Sequence, residues 1–309
     1  NYELHNTAYD TTLTAGVAGY NLSLISNDSK TATYNGQDQY AQKIAFSSDG
    51  TKFYLAGNSP RYIYQYNLTT AWDISTATYS NYYYDYQTNS GGANDISMLA
   101  FKTDGTKMYA GGYGDDTIYE HDLSTAWDIS TVTYNSVNKI ISFASSLPMG
   151  LSFKPDGTAA FSMDMTNNLV IKYNLSTAWD ISSISGSNSF NSGYGSGSQS
   201  REVELSNDGT KMYILFDGSS LDTIKEYSLS TAWDITTASI TSNEWVFSSD
   251  VSTNVPGFVL KDDGTKIYIM NNGHSTPRLE QWSISSSALI LGTGSFASTD
   301  IGKRIVGNG

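Results

Sequence analysis

Two series of aspartates recur along the chain, and regularly spaced carboxylates are candidate calcium ligands or catalytic acids and bases. A glycosidase needs two such groups about 5–10 Å apart. Neighbouring members of each series lie 52 to 55 residues apart, at the same place of successive repeats. This spacing gives no indication that any two of these carboxylates share one catalytic site. The first series is Asp49, Asp104, Asp156, Asp208 and Asp263, and the second is Asp73, Asp128, Asp180 and Asp234.

Local structural roles explain both series. Each aspartate of the first series begins an Asp-Gly-Thr tripeptide, in which aspartate caps its own turn and glycine takes a positive φ. Each aspartate of the second series follows a tryptophan, and we expect it to cap the short turn after a third strand. The tryptophans themselves are expected to be packing anchors. They are Trp72, Trp127, Trp179 and Trp233.

Histidine and cysteine offer little for a metal centre, because the chain has three histidines and no cysteine. His121 stands where the other repeats have an aromatic residue, so we expect it to fill a packing position. His5 and His274 lie in irregular segments and share no motif. No metal site, no catalytic residue and no cofactor are therefore predicted.

The repeats indicate which elements position these residues. The Asp-Gly-Thr tripeptide occurs five times between alternating apolar residues, as expected of a β-hairpin. A third alternating stretch, the Ala-Trp-Asp-Ile segment and a fourth short strand follow it. Four short strands in a repeat of this length are typical of a β-propeller blade. The sequence predicts an all-β propeller of about five four-stranded blades, with six as the alternative.

The repeats also set the domain organisation. Residues 20–285 are predicted to form the propeller, and residues 20–34 resemble the second half of a repeat that could close the last blade. Residues 1–19 carry no repeat signature, and 286–309 are interpreted as a linker and the start of a further module. The repeats lie near 43–80, 98–135, 150–186, 202–240 and 257–285.

Composition narrows the function classes. The chain has 17 basic and 30 acidic side chains, a formal net charge of −13, and no basic cluster, so a nucleic-acid partner is not expected. No apolar run approaches the ~18 residues that a spanning helix needs, so no membrane span is expected.

Interruptions of the repeat are better pointers to a ligand site than the repeated residues. Residues 80–95 are a tyrosine-dense stretch, and residues 184–199 are rich in glycine and serine. Both are interpreted as exposed connections, which either bind a ligand through aromatic rings or are simply solvated. The candidate ligand-binding residues are Tyr82, Tyr83, Tyr84, Tyr86, Phe190 and Tyr194.

The mouth of the central channel is a second candidate site. Positions just before each innermost strand are not repeated, and they include Lys43, Arg201 and Glu202. Successive strand residues point to opposite faces, so Arg201 and Glu202 are not expected to act as an acid–base pair. We interpret the mouth as plugged or polar-rimmed, with a small-ligand site as the alternative.

The repeat letters LSTAWDIS and DGTK-x-Tyr resemble propeller-like repeats of structural and tail proteins of marine bacteriophages. Residues 294–309, which include DIGKRI and a following Asn-Gly, are similar to a short segment of tail-fibre-type phage proteins. The resemblance implies a virion or extracellular location, with other virion proteins and host-surface glycans as partners. It brings no catalytic residues.

Together these observations predict a non-enzymatic virion structural or appendage protein that binds host-surface carbohydrate or another virion protein. The alternatives are a secreted or periplasmic lactonase-like hydrolase with a channel-mouth site, a secreted bacterial adhesin, and an architectural spacer. The oligomeric state is left open.

Overall fold

The computed structural model describes residues 20–34, 36–90, 95–112, 114–141, 147–193, 199–217, 222–247 and 254–285. In chain order its strands are β1 (Ile25–Thr33), β2 (Ala41–Phe46), β3 (Lys52–Gly57), β4 (Tyr62–Leu68), β5 (Ala77–Asp85), β6 (Met98–Phe101), β7 (Lys107–Gly112), β8 (Thr117–Leu123), β9 (Val132–Ile140), β10 (Pro148–Phe153), β11 (Ala159–Asp164), β12 (Leu169–Leu175), β13 (Ile184–Asn191), β14 (Gln199–Leu205), β15 (Lys211–Asp217), β16 (Thr223–Leu229), β17 (Ala238–Val246), β18 (Phe258–Leu260), β19 (Lys266–Asn271) and β20 (Arg278–Ile284).

Helical structure within the described ranges is short. One α-helix, α1, spans Tyr86–Ser90. The 3-10 helices are Leu22–Leu24, Ile74–Thr76, Ile129–Thr131, Ile181–Ser183 and Ile235–Thr237. No described helix has both the length and the apolar character needed to cross a membrane.

The strands form five antiparallel sheets of four strands, the blades of a five-bladed propeller. Counted from the inner strand outwards, blade 1 is β2-β3-β4-β5, blade 2 is β6-β7-β8-β9, blade 3 is β10-β11-β12-β13 and blade 4 is β14-β15-β16-β17. Blade 5 has the order β18-β19-β20-β1. The innermost strands contact their neighbours in a closed ring, β2 to β6, β10, β14, β18 and back to β2. The prediction of five blades is confirmed, and the alternative of six is wrong.

Closure of the ring depends on β1, which comes first in the chain and forms the outermost strand of blade 5. It pairs antiparallel with β20 from Ile25–Ile284 to Thr33–Arg278. Tyr20 takes the place that tryptophan has in the other blades, with φ of 65° and a backbone N–H 2.9 Å from the Gly264 carbonyl oxygen. The prediction that residues 20–34 close the last blade is confirmed.

The Asp-Gly-Thr tripeptides are the turns between the first and second strands of each blade. Asp49 Oδ1 accepts the backbone N–H of Thr51 at 2.9 Å, and Gly50 has φ of 69°. The Trp72 ring lies directly over Gly50, where a Cβ atom would collide with it. The same turn recurs in every blade, which confirms the structural role of the first aspartate series.

The second aspartate series begins the 3-10 helices. Asp73 Oδ1 accepts the backbone N–H of Ser75 at 3.1 Å, and the other three members make the equivalent bond. In blade 5 Asn21 has this role, bonding the N–H of Ser23 at 3.0 Å. The predicted capping role is confirmed.

Adjacent blades are held together by apolar clusters and by a recurring tyrosine bond. The five buried clusters each combine side chains of two neighbouring blades. The Tyr54 hydroxyl of blade 1 donates to the Trp127 carbonyl of blade 2 at 2.6 Å. Three further junctions have the same bond, from Tyr109 to Trp179, Tyr213 to Tyr20 and Tyr268 to Trp72. Blade 3 has Phe161 at this position, with its ring tilted by 34° against that of Trp233 and the ring centroids 6.2 Å apart.

His121 is part of this core. It pairs with Met108 across the β7–β8 ladder, at the register position that aromatic residues occupy in the other blades. Its side chain is fully buried among Tyr84, Tyr86 and Tyr134. Burial lowers the pKa of His121 to about 4. The prediction that it fills an aromatic position is confirmed.

Candidate functional site

The propeller axis is occupied by a buried ion pair. Lys43 on β2 places its Nζ 2.7 Å from Oε2 of Glu202 on β14, and it donates to the Arg201 carbonyl at 2.9 Å. A Cβ atom on Gly150 would collide with Glu202 Oε1, and one on Gly257 would lie 3.4 Å from Oε2. Since groups from blades 1, 3, 4 and 5 surround this one carboxylate, it lies at the axis.

The ion pair plugs the channel. The side chains of Lys43 and Glu202 are 2% and 7% exposed. Burial lowers the pKa of Lys43 and raises that of Glu202, and the charge of each partner opposes the other's shift. The interpretation of a plugged channel is confirmed, and no room for a ligand is left between these two groups.

Arg201 has a different partner from its neighbour. Its Nε lies 3.1 Å from Oδ2 of Asp217 on β15, and a second guanidinium nitrogen bonds the same oxygen. The expectation that Arg201 and Glu202 do not form an acid–base pair is confirmed. Arg201 contributes only its backbone carbonyl to the axis.

Glu204 is a carboxylate near the axis that the sequence reasoning missed. It lies two residues after Glu202 on β14, with Val203 buried between them, so the two glutamates share one face of the strand. Glu204 is partly exposed. Desolvation, followed by the charge of Glu202, raises the pKa of Glu204 well above its ordinary value. Such a group holds its proton to higher pH than an exposed glutamate and could serve as a general acid.

The tyrosine-dense stretch is not the connection that was predicted. Tyr82, Tyr83 and Tyr84 lie on β5, the outer strand of blade 1, and Tyr86 begins α1. Tyr84 and Tyr86 are only 6% and 1% exposed and pack in the cluster between blades 1 and 2. The expectation that they are exposed is wrong, because β5 directs Tyr84 and the start of α1 directs Tyr86 into this cluster. Tyr82 and Tyr83 are 53% and 52% exposed, and their binding role stays a prediction.

The glycine- and serine-rich stretch is corrected in the same way. Residues 184–191 form β13, the outer strand of blade 3. Phe190 is partly buried and packs edge-on against Tyr227, with ring centroids 5.6 Å apart, so the expectation of an exposed Phe190 is wrong. Tyr194 and His5 lie outside the described residues.

A polar depression lies between blades 5 and 1, at the connection that closes the ring. We define the closure seam as residues 36–40, which lead into β2, and residues 272–277, which join β19 to β20. The depression has a volume of about 250 Å³. It is lined by Gln39, Tyr40, Asn272, His274, Ser275 and Pro277.

Part of this lining is fixed by hydrogen bonds. Asn272 accepts the Tyr34 hydroxyl at 2.7 Å and donates to the Ala41 carbonyl at 2.8 Å. His274 has Nε2 3.0 Å from an Arg278 nitrogen and Nδ1 3.1 Å from the Thr276 carbonyl oxygen. The backbone N–H of Thr276 also lies 3.1 Å from His274 Nδ1.

Other lining groups are available to a ligand. The side chains of Gln39 and Ser275 and the hydroxyl of Tyr40 form no hydrogen bond within the described residues. Tyr40 is 60% exposed, so its ring is open to solvent. Sequence reasoning missed Gln39 and Tyr40, although their position between the closing half-repeat and the first repeat marked them as non-repeated.

The exposed Tyr83 is linked to residues 36–40 through Tyr64. Tyr64 donates to the Gln37 carbonyl at 2.9 Å, which fixes the seam to blade 1. The ring centroid of Tyr83 lies 6.3 Å from that of Tyr64. The Tyr83 ring stacks on Tyr62, with centroids 4.4 Å apart and an interplanar angle of 15°. Tyr40 therefore lines the depression, and Tyr83 lies outside the closure seam, on the outer strand of blade 1.

The described residues contain no group of three or more His, Cys, Asp or Glu side chains arranged to hold a metal ion.

Comparisons with known proteins concern the fold. No protein-family model and no curated protein matches the chain. A solved structure from Lactobacillus plantarum has a TM-score of 0.47 and 15% identity, covering 76% of this chain and 65% of that one. A Bacteroides uniformis protein provisionally named 6-phosphogluconolactonase has a TM-score of 0.47 and 14% identity, covering 76% of this chain and 64% of that one. The periplasmic gluconolactonase of Pseudomonas aeruginosa has a TM-score of 0.44 and 13% identity, covering 80% of this chain and 70% of that one.

The chain spans slightly less than two thirds of the first two of these proteins. At these identities and TM-scores the likeness assigns no property to this chain. The names nevertheless contradict the prediction that the chain is not an enzyme, because propellers named as lactonases are among the structures that it resembles. That prediction is withdrawn, and the names assign neither an activity nor a substrate to this chain.

Proposed function

We propose that this propeller binds saccharides at the closure seam. The observation that carries the proposal is the combination of an open tyrosine ring with free polar groups around one depression. Tyr40 is 60% exposed there, beside the side chains of Gln39 and Ser275, which bond no other residue that the structure describes.

The chemistry of these groups suits a sugar. A tyrosine ring offers a flat apolar surface for the C–H face of a pyranose, together with a hydroxyl that stays hydrated. Amide and hydroxyl side chains donate and accept at once, as sugar hydroxyls require. The fixed Asn272 and His274 keep the floor of the depression in place, so little ordering is needed when a ligand binds.

The location of this protein and its partners are also proposals. On the phage-like repeat letters and the segment 294–309, we place it on a virion or outside a cell, with host-surface glycans and other virion proteins as partners. A secreted adhesin would use the same surface in the same way. The exposed Tyr82 and Tyr83 on blade 1 would extend the contact to a longer glycan.

A glycan array read with wild-type protein and with Tyr40→Ala/Tyr83→Ala tests the binding site. We expect wild type to retain one glycan class and the double variant to bind it at least about tenfold more weakly, which corresponds to about 1.4 kcal/mol. The matched control is Ile140→Ala/Ile240→Ala, since these apolar side chains are 65% and 58% exposed on other blades. Unchanged binding by the tyrosine variant, or no retained glycan in wild type, contradicts the proposal.

Hydrolysis near the axis is a second candidate, favoured by Glu204. Its partial exposure and raised pKa are properties of a general acid, and the Lys43–Glu202 pair fixes its surroundings. Sugar lactones are suitable first substrates, because they are the compounds after which several similar propellers are named.

Turnover of a lactone panel by wild type and Glu204→Gln tests this candidate. The variant is expected to lose about 100-fold or more in kcat. Glu244→Gln is the control, because Glu244 is an exposed acid on the same blade, paired with Lys225. Absence of turnover in wild type, or equal turnover in Glu204→Gln, excludes this candidate.

A further inference from the structure

The five outer strands of the propeller do not have equivalent edges. In four blades a two-residue bulge interrupts the pairing of the outer strand, as between Asn27 and Lys30 in β1. In blade 3 the register shifts between Asn174 and Leu175, near the start of β13, and Gly186–Asn191 then pair without interruption with Leu169–Asn174 of β12. The free edge of β13 therefore has a longer regular stretch than the other four outer strands.

Bulges and charges are the usual protection of a sheet edge against pairing with another strand. Each of the four bulged strands also carries a charged side chain, namely Asp28, Asp85, Lys139 and Glu244. The sequence of β13, ISGSNSFN, contains no charged residue. The outer strand of blade 3 thus has no charged side chain, and its irregularity lies at one end of the strand rather than in the middle.

The edge of β13 is also open. Residues 186–189 are exposed, although strand alternation directs them to both faces of the sheet. A Cβ atom built on Gly186 would meet nothing within 4 Å. The face of the sheet at Gly186 is therefore open as well.

We propose that β13 is a dimerisation edge, on which a second copy of this chain adds its own β13 antiparallel about a two-fold axis. The two copies carry −13 each and repel one another over most of their surfaces. An uncharged edge is the place where they approach with least repulsion. A two-fold arrangement is self-complementary by construction, and small Ser, Asn and Gly side chains fit opposite their own copies.

The pairing would join two blades into one continuous eight-stranded sheet. It adds backbone hydrogen bonds over the regular part of β13, centred near Asn188. Because the contact is narrow, we expect a weak dimer, with a dissociation constant on the order of micromolar.

Sedimentation equilibrium over a wide concentration range tests the dimer. Asn188→Lys places two like charges beside the two-fold axis and is expected to weaken dimerisation at least tenfold. Ser242→Lys is the matched control, since it adds the same charge at an exposed position of the bulged β17. A wild-type chain that stays monomeric up to millimolar concentration, or an Asn188→Lys variant that dimerises like wild type, overturns the proposal.

A single cysteine then reports the register. The chain has no native cysteine, so Asn188→Cys or Ser187→Cys introduces its only thiol. Directly opposed residues of an antiparallel pair have Cβ atoms about 4.5–5.5 Å apart, close enough for oxidation to link the copies. We expect covalent dimers from a cysteine on β13 and none from Ser242→Cys. The reverse pattern would place the interface elsewhere and reject the proposal.

Discussion

Lys43 of blade 1 and Glu202 of blade 4 meet at 2.7 Å on the propeller axis, although 159 residues separate them in the chain. The Lys43 ammonium also bonds the Arg201 carbonyl at 2.9 Å, so one side chain links two blades across the channel. The pair fills the axis with bonded charge and fixes the inner strands relative to one another.

Removing one member of this pair should be costly, because it leaves a buried charge without its partner. Lys43→Met is expected to lower the free energy of unfolding by about 3–5 kcal/mol, whereas Lys43→Met/Glu202→Leu should recover most of that loss. Urea unfolding of the single and double variants measures both effects. Lys225→Met, which breaks an exposed pair with Glu244, should cost only about 1 kcal/mol or less. Equal costs for the two single variants would contradict the buried pair.

His121 should make the fold sensitive to acid. Its pKa falls from the ordinary 6.5 to about 4 on folding because the side chain is buried among tyrosines. Between these values the unfolded chain binds the proton and the folded chain does not, so stability decreases as pH falls from about 6.5 to 4. The shift corresponds to a loss of about 3 kcal/mol.

His121→Tyr, which introduces the residue of three other blades at this position, should remove that part of the acid sensitivity. Denaturant unfolding at pH 7 and pH 4.5 measures the difference between the variant and wild type. A stability loss on acidification that is the same in both proteins would show that His121 does not titrate as described.

The junction between blades 3 and 4 lacks the tyrosine hydroxyl that four other junctions have. Phe161→Tyr should supply a donor for the Trp233 carbonyl and raise the free energy of unfolding by about 0.5–1.5 kcal/mol. Tyr213→Phe, which removes such a bond to the Tyr20 carbonyl, should lower it by a similar amount. Thermal unfolding compares the two variants, and the same sign of change in both would refute the interpretation.

Glycine in the Asp-Gly-Thr turns is required for two reasons, the positive φ and the tryptophan above it. Gly209→Ala would strain a residue with φ of 70° and force its Cβ into Trp233, so we expect a loss of several kcal/mol. Gly186→Ala on β13 meets open space and should be nearly neutral. Similar melting temperatures for the two variants would contradict the packing of tryptophan on the turn.

Much of the fold could be predicted from the sequence because every blade repeats the same local contacts. The Asp-Gly-Thr turn and the aspartate cap are made by hydrogen bonds between residues two apart in the chain, and the tryptophan packs on the turn glycine of its own blade. Even the closing strand was recognisable, since Tyr20 and Asn21 keep the roles of tryptophan and aspartate.

The candidate sites were harder to predict because they depend on exposure and on distant contacts. The bulge at Asn81, with φ of 64°, changes which tyrosines of β5 face the core, and no repeat letter marks it. Lys43 and Glu202 were both identified near the channel, but only the closed ring shows that they neutralise one another. Glu204 was missed because Glu202 was the last residue of β14 considered for the channel mouth, and Glu204 lies two residues further along the same face of that strand.

The most direct test of saccharide binding at the closure seam is a crystal structure of the chain with the glycan that it retains on the array. The account predicts a sugar ring over Tyr40, bonded to Gln39 or Ser275 in the depression between blades 5 and 1. A sugar found elsewhere, for example beside Glu204, with the closure seam empty would contradict it.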